Sequence, residues 1–167
     1  MLEALLYPDT IAVIGASKSP GKVGYAILNN LIQSGFAGTI IPVNPTTDEI
    51  LGVRCYKDVR DAKVKIDHSI IVVPNKAVLA ALEASAEAGA TAVTVITAGF
   101  KETGAAGAAM EKEIAEYCRN HGIRMLGPNC LGLINTETKM NASFAVQMPK
   151  PGSISVLSQS GALCTAI

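Results

Sequence analysis

Apolar residues fall into short, unbroken, β-branched runs, separated by longer stretches in which they recur every three or four positions. The runs "TIAVIG", "GTIIPVNP", "HSIIVVP", "TAVTVITAG" and "IRMLGPN" each predict a strand. The intervening "VGYAILNNLIQSG", "NKAVLAALEASAEAG" and "AAGAAMEKEIAEYCRNHG" predict helices. In the first helix Val23, Ile27 and Leu31 keep helical spacing and Gly35 is the stop; in the second, Asn75 is the expected N-cap and Gly89 the C-terminal glycine. Gly104 and Gly107 weaken the start of the third. The strand runs are continuous rather than alternating, which marks strands buried on both faces, as in parallel sheets covered by helices. The alternation of strand and helix therefore predicts an α/β fold: a doubly wound, mostly parallel Rossmann-like sheet with helices on both faces.

After Asn135 the pattern changes. Residues 1–136 are read as one domain, and the polar, proline-bearing "TETKMNASFAVQMPKPG" places a connector at 137–152. "SISVLSQSGALCTAI" then opens a fresh unit at 153–167: a strand, a Ser/Gly turn and the first turns of a helix. A unit broken off midway predicts the truncated start of a second domain, so the chain is expected to be a piece of a longer protein.

Composition narrows the function classes. Of the 167 residues 49% are apolar and 17% charged, enough to bury a core. Lys+Arg and Asp+Glu are both 14 and no basic run occurs, so there is no face for a nucleic-acid backbone. "MLEALLYPDT" is neither a signal peptide nor an anchor, and the longest apolar runs are strand-length, which predicts no membrane association. Cys55, Cys118, Cys130 and Cys164 lie far apart without a CxxC, and read as reduced thiols of a cytoplasmic protein. His68 and His121 have no metal-ligand spacing and are read as structural, so no metal is expected.

In a doubly wound sheet, ligands bind outside the carboxyl ends of the strands. Five loops would meet there: Gly15 to Gly24, Asn44 to Thr47, Pro74–Asn75, Thr97 to Phe100, and Gly127 to Gly132; all are small, polar or glycine-rich. The first, "GASKSPGKVG", is not the dinucleotide fingerprint, because Ser17 and Pro20 stand where glycines are needed. Asn44 replaces the ribose-binding acid after the second strand, and the Walker A pattern fails at Val23. The loop nevertheless has the parts of a phosphate site. Gly15 and Gly24 allow close backbone approach, Ser17 and Ser19 carry hydroxyls, Lys18 and Lys22 carry charge, and a helix N-terminus follows.

The segments "VIGASKSPGKVGYAILNNL", "IIPVNP", "ILGVRCYKDV", "IIVVP", "VITAGFKE", "LGPNCLGLIN" and "PGSISVLSQSGAL", in that order, resemble the CoA-binding domain of the ADP-forming acyl-CoA synthetases (acetate–CoA ligases), relatives of the succinyl-CoA synthetase α subunit. "GPNCLG" and "SQSGAL" are the most specific parts. The resemblance implies that Ser17, Pro20, Gly21, Lys22 and Val23 lie near the phosphates of CoA, and Asn44–Pro45 beside its nucleotide part. It places Val73–Pro74 as a wall for adenine, Ile96–Thr97 along the pantetheine, and Asn129–Cys130 near the thiol end. Cys130, at a strand end, is read as a small apolar residue rather than a nucleophile. Ser158, Ser160 and Gly161 would form the loop of the second domain that holds the phosphate of a catalytic phosphohistidine. Relatives often carry "NPK" after the second strand; here Thr46 and Thr47 leave only hydroxyls as donors.

The implied reaction is acyl-CoA + ADP + phosphate to acid + ATP + CoA. It would run through acyl phosphate and a phosphohistidine outside this chain, so the chain itself carries no catalytic residue and is expected to be inactive alone. Its implied partners are the remainder of the ligase, a second CoA-ligase domain and an ATP-grasp module, in the same or a separate chain. Self-association stays open. Two other readings also stay open: the CoA-sensing arm of a protein acetyltransferase, and an NAD(P)-binding domain of an oxidoreductase.

Overall fold

The computed structural model describes residues 2–166. A short helix α1 (Glu3–Leu6) leads into β1 (Thr10–Ile14), α2 (Val23–Gln33) and β2 (Thr39–Val43). A small hairpin follows, β3 (Glu49–Ile50) and β4 (Val53–Arg54), then a 3-10 turn at Val59–Ala62. The chain continues through β5 (His68–Ile71), α3 (Val78–Glu87), β6 (Ala92–Val95), α4 (Ala105–Asn120) and β7 (Arg124–Leu126). A second hairpin, β8 (Gly132–Asn135) and β9 (Met140–Ser143), precedes the terminal helix α5 (Gly161–Ala166).

The five continuous apolar runs form the central sheet, in the order β2-β1-β5-β6-β7, with every neighbouring pair parallel. Burial explains why. In β1 Ile11 to Val13, and in β5 and β6 every residue, are buried, so both faces need cover. On one face Ala12, Ile14, Ile71, Val93 and Val95 pack with Val78 and Leu82 of α3 and with Ile114 and Cys118 of α4. On the other, Ile11, Val13, Ile70 and Ile96 pack with Ile27, Leu28 and Leu31 of α2 and with Met140 and Ala142 of β9. The chain leaves β1 to one side for β2 and returns on the other side as β5, so the switch of direction lies between β1 and β5.

Three elements differ from the pattern reading. The stretch read as a connector from 137 contains β9, which pairs antiparallel with β8 across residue 136 and is buried throughout. Its signal is a period of two, Met140, Ala142, Phe144, that the surrounding polar residues and prolines obscure. The polar positions between are buried too. Asn30 of α2 donates to the carbonyls of Ser143 and Ala145 at 2.8 and 2.7 Å, and Ser143 Oγ donates to Asn141 Oδ1 at 2.6 Å. The strand expected at 153–157 does not form: no described residue pairs with it, and Ile154 and Leu157 are 89% and 96% exposed. A strand without a neighbour leaves its backbone groups without partners and gains nothing from its side chains. Asn75 does not cap α3. A 3-10 turn at Asn75–Ala77 intervenes, and α3 starts at Val78 without a side-chain cap.

His68 opens β5 fully buried, with Nε2 2.8 Å from Thr94 Oγ1 and Nδ1 without a partner. Burial pushes its pKa down to about 4, so it is a neutral core residue. His121 ends α4, with its ring stacked on Tyr117 and Nδ1 2.9 Å from the Tyr117 carbonyl.

Two outcomes follow from this packing. Met140→Ala should cost about 2–5 kcal/mol in urea unfolding, as for other buried Met truncations, while Val146→Ala, at a 92% exposed position, should stay within about 0.5 kcal/mol. For His68 the folded pKa lies below the unfolded one, so between about pH 6.5 and pH 4 the unfolded chain binds the extra proton. Stability is therefore lost as pH falls through that window, by on the order of 3 kcal/mol. His68→Gln should flatten that part of the stability–pH curve, measured by urea unfolding at several pH values.

Candidate functional site

The site is built where the parallel ladder runs out into loops. Beyond β1, the N–H groups of Gly15 and Ala16 still donate to the Val43 carbonyl at 3.0 and 3.2 Å. Val72 N–H donates to Ile14, Ile96 N–H to Ile71, and Asn129 N–H to Thr97, at 2.8, 3.0 and 3.0 Å. Side chains then cross-link the loops. Asn44 Nδ2 donates to the Ala16 carbonyl at 2.7 Å, Thr97 Oγ1 to Val73 at 2.7 Å, and Asn75 Nδ2 to Gly99 at 2.8 Å. The carboxyl edge of the sheet is thereby one braced surface.

Two glycines set how closely the first loop can lie on it. Gly15 has φ +95°, and a Cβ there would stand 2.7 Å from the Val72 carbonyl oxygen. A Cβ on Gly24 would collide with the Gly15 carbonyl. With both positions bare, α2 begins directly over the end of β1. Its N-cap, Lys22, is extended and its side chain does not cap the helix. The Tyr25 and Ala26 amides donate to the Lys22 carbonyl, while no described side chain caps those of Val23 and Gly24, which with the helix dipole favour an anion.

A groove of about 930 Å³ runs along this edge, at the large end of small-molecule sites. Gly15, Ser17, Lys22, Val23, Val73, Pro74, Ile96, Thr97, Asn129, Cys130 and Gly161, all singled out from sequence, line it. Ser17 Oγ accepts from Ser19 N–H at 3.1 Å, which keeps its hydroxyl proton available for a ligand. Lys22 has no ion-pair partner among the described residues. Lys18, Pro20 and Gly21 are exposed on the outer side of the same loop and are not among the lining residues. Lys57 sits 2.9 Å from Asp48 and, with a smaller contribution from Lys18, holds the Asp48 carboxyl below the ordinary carboxylate range.

Asn44, Pro45, Ser158 and Ser160 also stand outside the lining. Asn44 is a brace whose Oδ1 accepts from both Thr46 N–H and Thr46 Oγ1 at 2.8 Å. Thr47 is buried and donates to the Glu49 carbonyl at 3.1 Å. The threonine hydroxyls read as phosphate donors are thus committed within their own turn. Ser158 Oγ accepts from Ser160 N–H at 3.0 Å, and Ser160 Oγ from Leu163 N–H at 3.3 Å, closing the start of α5. Cys130 donates to the Val95 carbonyl at 3.4 Å, and burial pushes its thiol up to about 11, so at neutral pH it is protonated and a poor nucleophile. Leu131, in the loop expected at this edge, also lines the groove, as do Phe144, Gln159, Ala162 and Thr165, which were not read from sequence as site residues. Leu131 and Phe144 flank the hairpin whose second strand the pattern concealed.

The described residues hold no cluster of three or more metal-binding side chains, and no described helix is long and apolar enough to cross a membrane. The family described as CoA binding domain matches residues 9–136. The chain belongs to that family. Among its relatives, this CoA-binding domain is 47% identical over 166 residues to the acetate–CoA ligase [ADP-forming] of Methanocaldococcus jannaschii, covering 99% of this chain and 23% of that protein. It is 43% identical over 167 residues to the acetate–CoA ligase [ADP-forming] II subunit alpha of Pyrococcus furiosus, covering 100% of this chain and 36% of that one. The crystal structure of PH0766 from Pyrococcus horikoshii OT3 superposes with a TM-score of 0.95 at 43% identity, over 99% of this chain and 38% of that one. The chain thus spans about a quarter to two fifths of the length of these relatives.

Proposed function

We propose that this domain is the CoA cradle of a cytoplasmic ADP-forming acyl-CoA ligase of the acetate–CoA ligase type. The observation that carries the reading is the coincidence of an uncapped α2 N-terminus, Ser17 and Lys22 at one end of a groove that continues past Val73, Pro74, Ile96 and Thr97 to Cys130. That is an anion-binding head continued by a mostly apolar wall, which suits a phosphorylated carrier with an extended arm.

In this reading the first turn of α2, the Ser17 hydroxyl and the Lys22 ammonium take the diphosphate, and Lys18 stands at the outer rim of the loop. Val73 and Pro74 pack against the adenine, and Asn44–Pro45 hold the neighbouring turn in place. Ile96, Thr97 and Asn129 direct the pantetheine arm toward Cys130, whose neutral thiol borders the reacting thioester without competing for the acyl group. Ser158, Ser160 and Gly161 belong to a second phosphate loop that receives the phosphohistidine of the complete enzyme. The histidine and the ATP-grasp module lie on the remaining parts of the ligase, which are its partners, in the same chain or a separate subunit as the Pyrococcus furiosus subunit alpha suggests. The overall conversion is acyl-CoA + ADP + phosphate to acid + ATP + CoA.

Thermal unfolding with CoA, NAD and NADP side by side tests the ligand. CoA at ~100 Kd should stabilise the chain by about 2.7 kcal/mol, and neither dinucleotide should; stabilisation by NAD alone would reassign the groove. Lys22→Glu puts a negative charge against the phosphates and should weaken CoA at least about tenfold, or ~1.4 kcal/mol, by isothermal titration. Unchanged affinity would place the phosphates elsewhere.

A further inference from the structure

The groove has two chemically different ends. At the β1 end lie Ser17, Lys22 and the first turn of α2. At the β7 end Ile96, Cys130, Leu131, Phe144 and Ala162 supply apolar wall, and Asn129, Gln159 and Thr165 are its uncharged polar groups. The two ends are three inter-strand spacings apart, about 14 Å. Among the described residues of the lining only Lys22 is charged, and none at the β7 end is a cation.

The apolar part of that end is a built wall. Phe144 N–H donates to the Leu131 carbonyl at 3.4 Å, just past the paired ends of β8 and β9, and Asn30 fixes the carbonyls on either side of Phe144. Leu131 in turn lies against Gly161 of α5, with its Cβ 3.7 Å from where a Gly161 Cβ would stand. Phe144 lines the groove and stays 40% exposed, whereas Met140 and Ala142, the preceding apolar positions of the same strand, are fully buried. An aromatic ring displayed in a groove, beside the point where the CoA arm ends, offers contact area to an apolar occupant.

We propose that Leu131 and Phe144 form the acyl subsite, and that it selects uncharged, apolar acyl groups large enough to reach the Phe144 ring, such as aryl groups, over acetyl and over acyl groups bearing a second carboxylate. The inference rests on the reading of the groove as a CoA site. Contact with the ring rewards apolar area and aromatic stacking, which acetyl is too small to supply. A second carboxylate would lose water there and meet no cation.

Isothermal titration of the wild type, Phe144→Ala and Phe144→Leu with CoA, acetyl-CoA, benzoyl-CoA and succinyl-CoA tests it. In the wild type benzoyl-CoA should bind tighter than acetyl-CoA by about fivefold or more, and succinyl-CoA no tighter than acetyl-CoA. In Phe144→Ala the benzoyl-to-acetyl ratio should fall to about one, and Phe144→Leu should keep part of it. Equal affinities in the wild type, a ratio that survives Phe144→Ala, or tightest binding of succinyl-CoA would overturn the acyl subsite while CoA binding stands. Failure of CoA itself to bind would overturn the groove assignment, and the subsite with it.

Discussion

The close approach of two bare backbones governs the rest of this molecule. Gly24, in the first turn of α2, lies on the carbonyl of Gly15, and Gly15 lies on the carbonyl of Val72. No side chain fits at either position, so β1, α2 and the end of β5 are drawn to a single point, at the place where the sheet changes direction. Everything on the carboxyl edge is arranged from there. The first amides of α2 open onto the groove, Lys22 stands at its mouth, and the loops after β5, β6 and β7 continue the wall in strand order. A Cβ at Gly24 would push the first turn of α2 off the strand and take the anion-binding end apart.

Polar side chains on this edge divide into braces and free groups, and their identities alone do not tell which is which. Asn44, Thr46, Thr97 and Asn75 are bonded to backbone or to one another, and hold loops together. Ser17 and Lys22 keep a donor available. The division favours a site that changes little when a ligand arrives, because the loops are already cross-linked. It also keeps Cys130 inert: its thiol is bonded to Val95 and held protonated by burial, so it can border a thioester as part of the wall.

The sheet was legible because five unbroken β-branched runs can be satisfied only by burial on both faces, and Gly35 and Gly89 ended their helices at positive φ as their spacing implied. The loops were legible because strand polarity brings them to one edge. What escaped was decided by partners far along the chain. Met140 to Ser143 carry two polar residues whose burial makes sense only with Asn30, more than a hundred residues earlier, to hold the strand end. Residues 153–157 have the composition of a strand, but composition supplies no neighbour to pair with. Asn75 has the chemistry of a helix cap, but its Oδ1 accepts from Lys76 N–H and its Nδ2 donates to Gly99 instead. Phe144 was invisible as a site residue because it reaches the groove only through the hairpin.

The most direct measurement is a titration of the isotopically labelled chain with CoA, followed amide by amide by NMR. If the carboxyl edge is the CoA site, the shifts should concentrate at Gly15, Val23, Gly24, Val73 and Asn129, and leave Asp9, Lys65, Ile66 and Ala90, at the opposite ends of the strands, unmoved. Shifts gathered at those opposite ends or along α3 and α4, with the Gly15 to Gly24 loop silent, would contradict it.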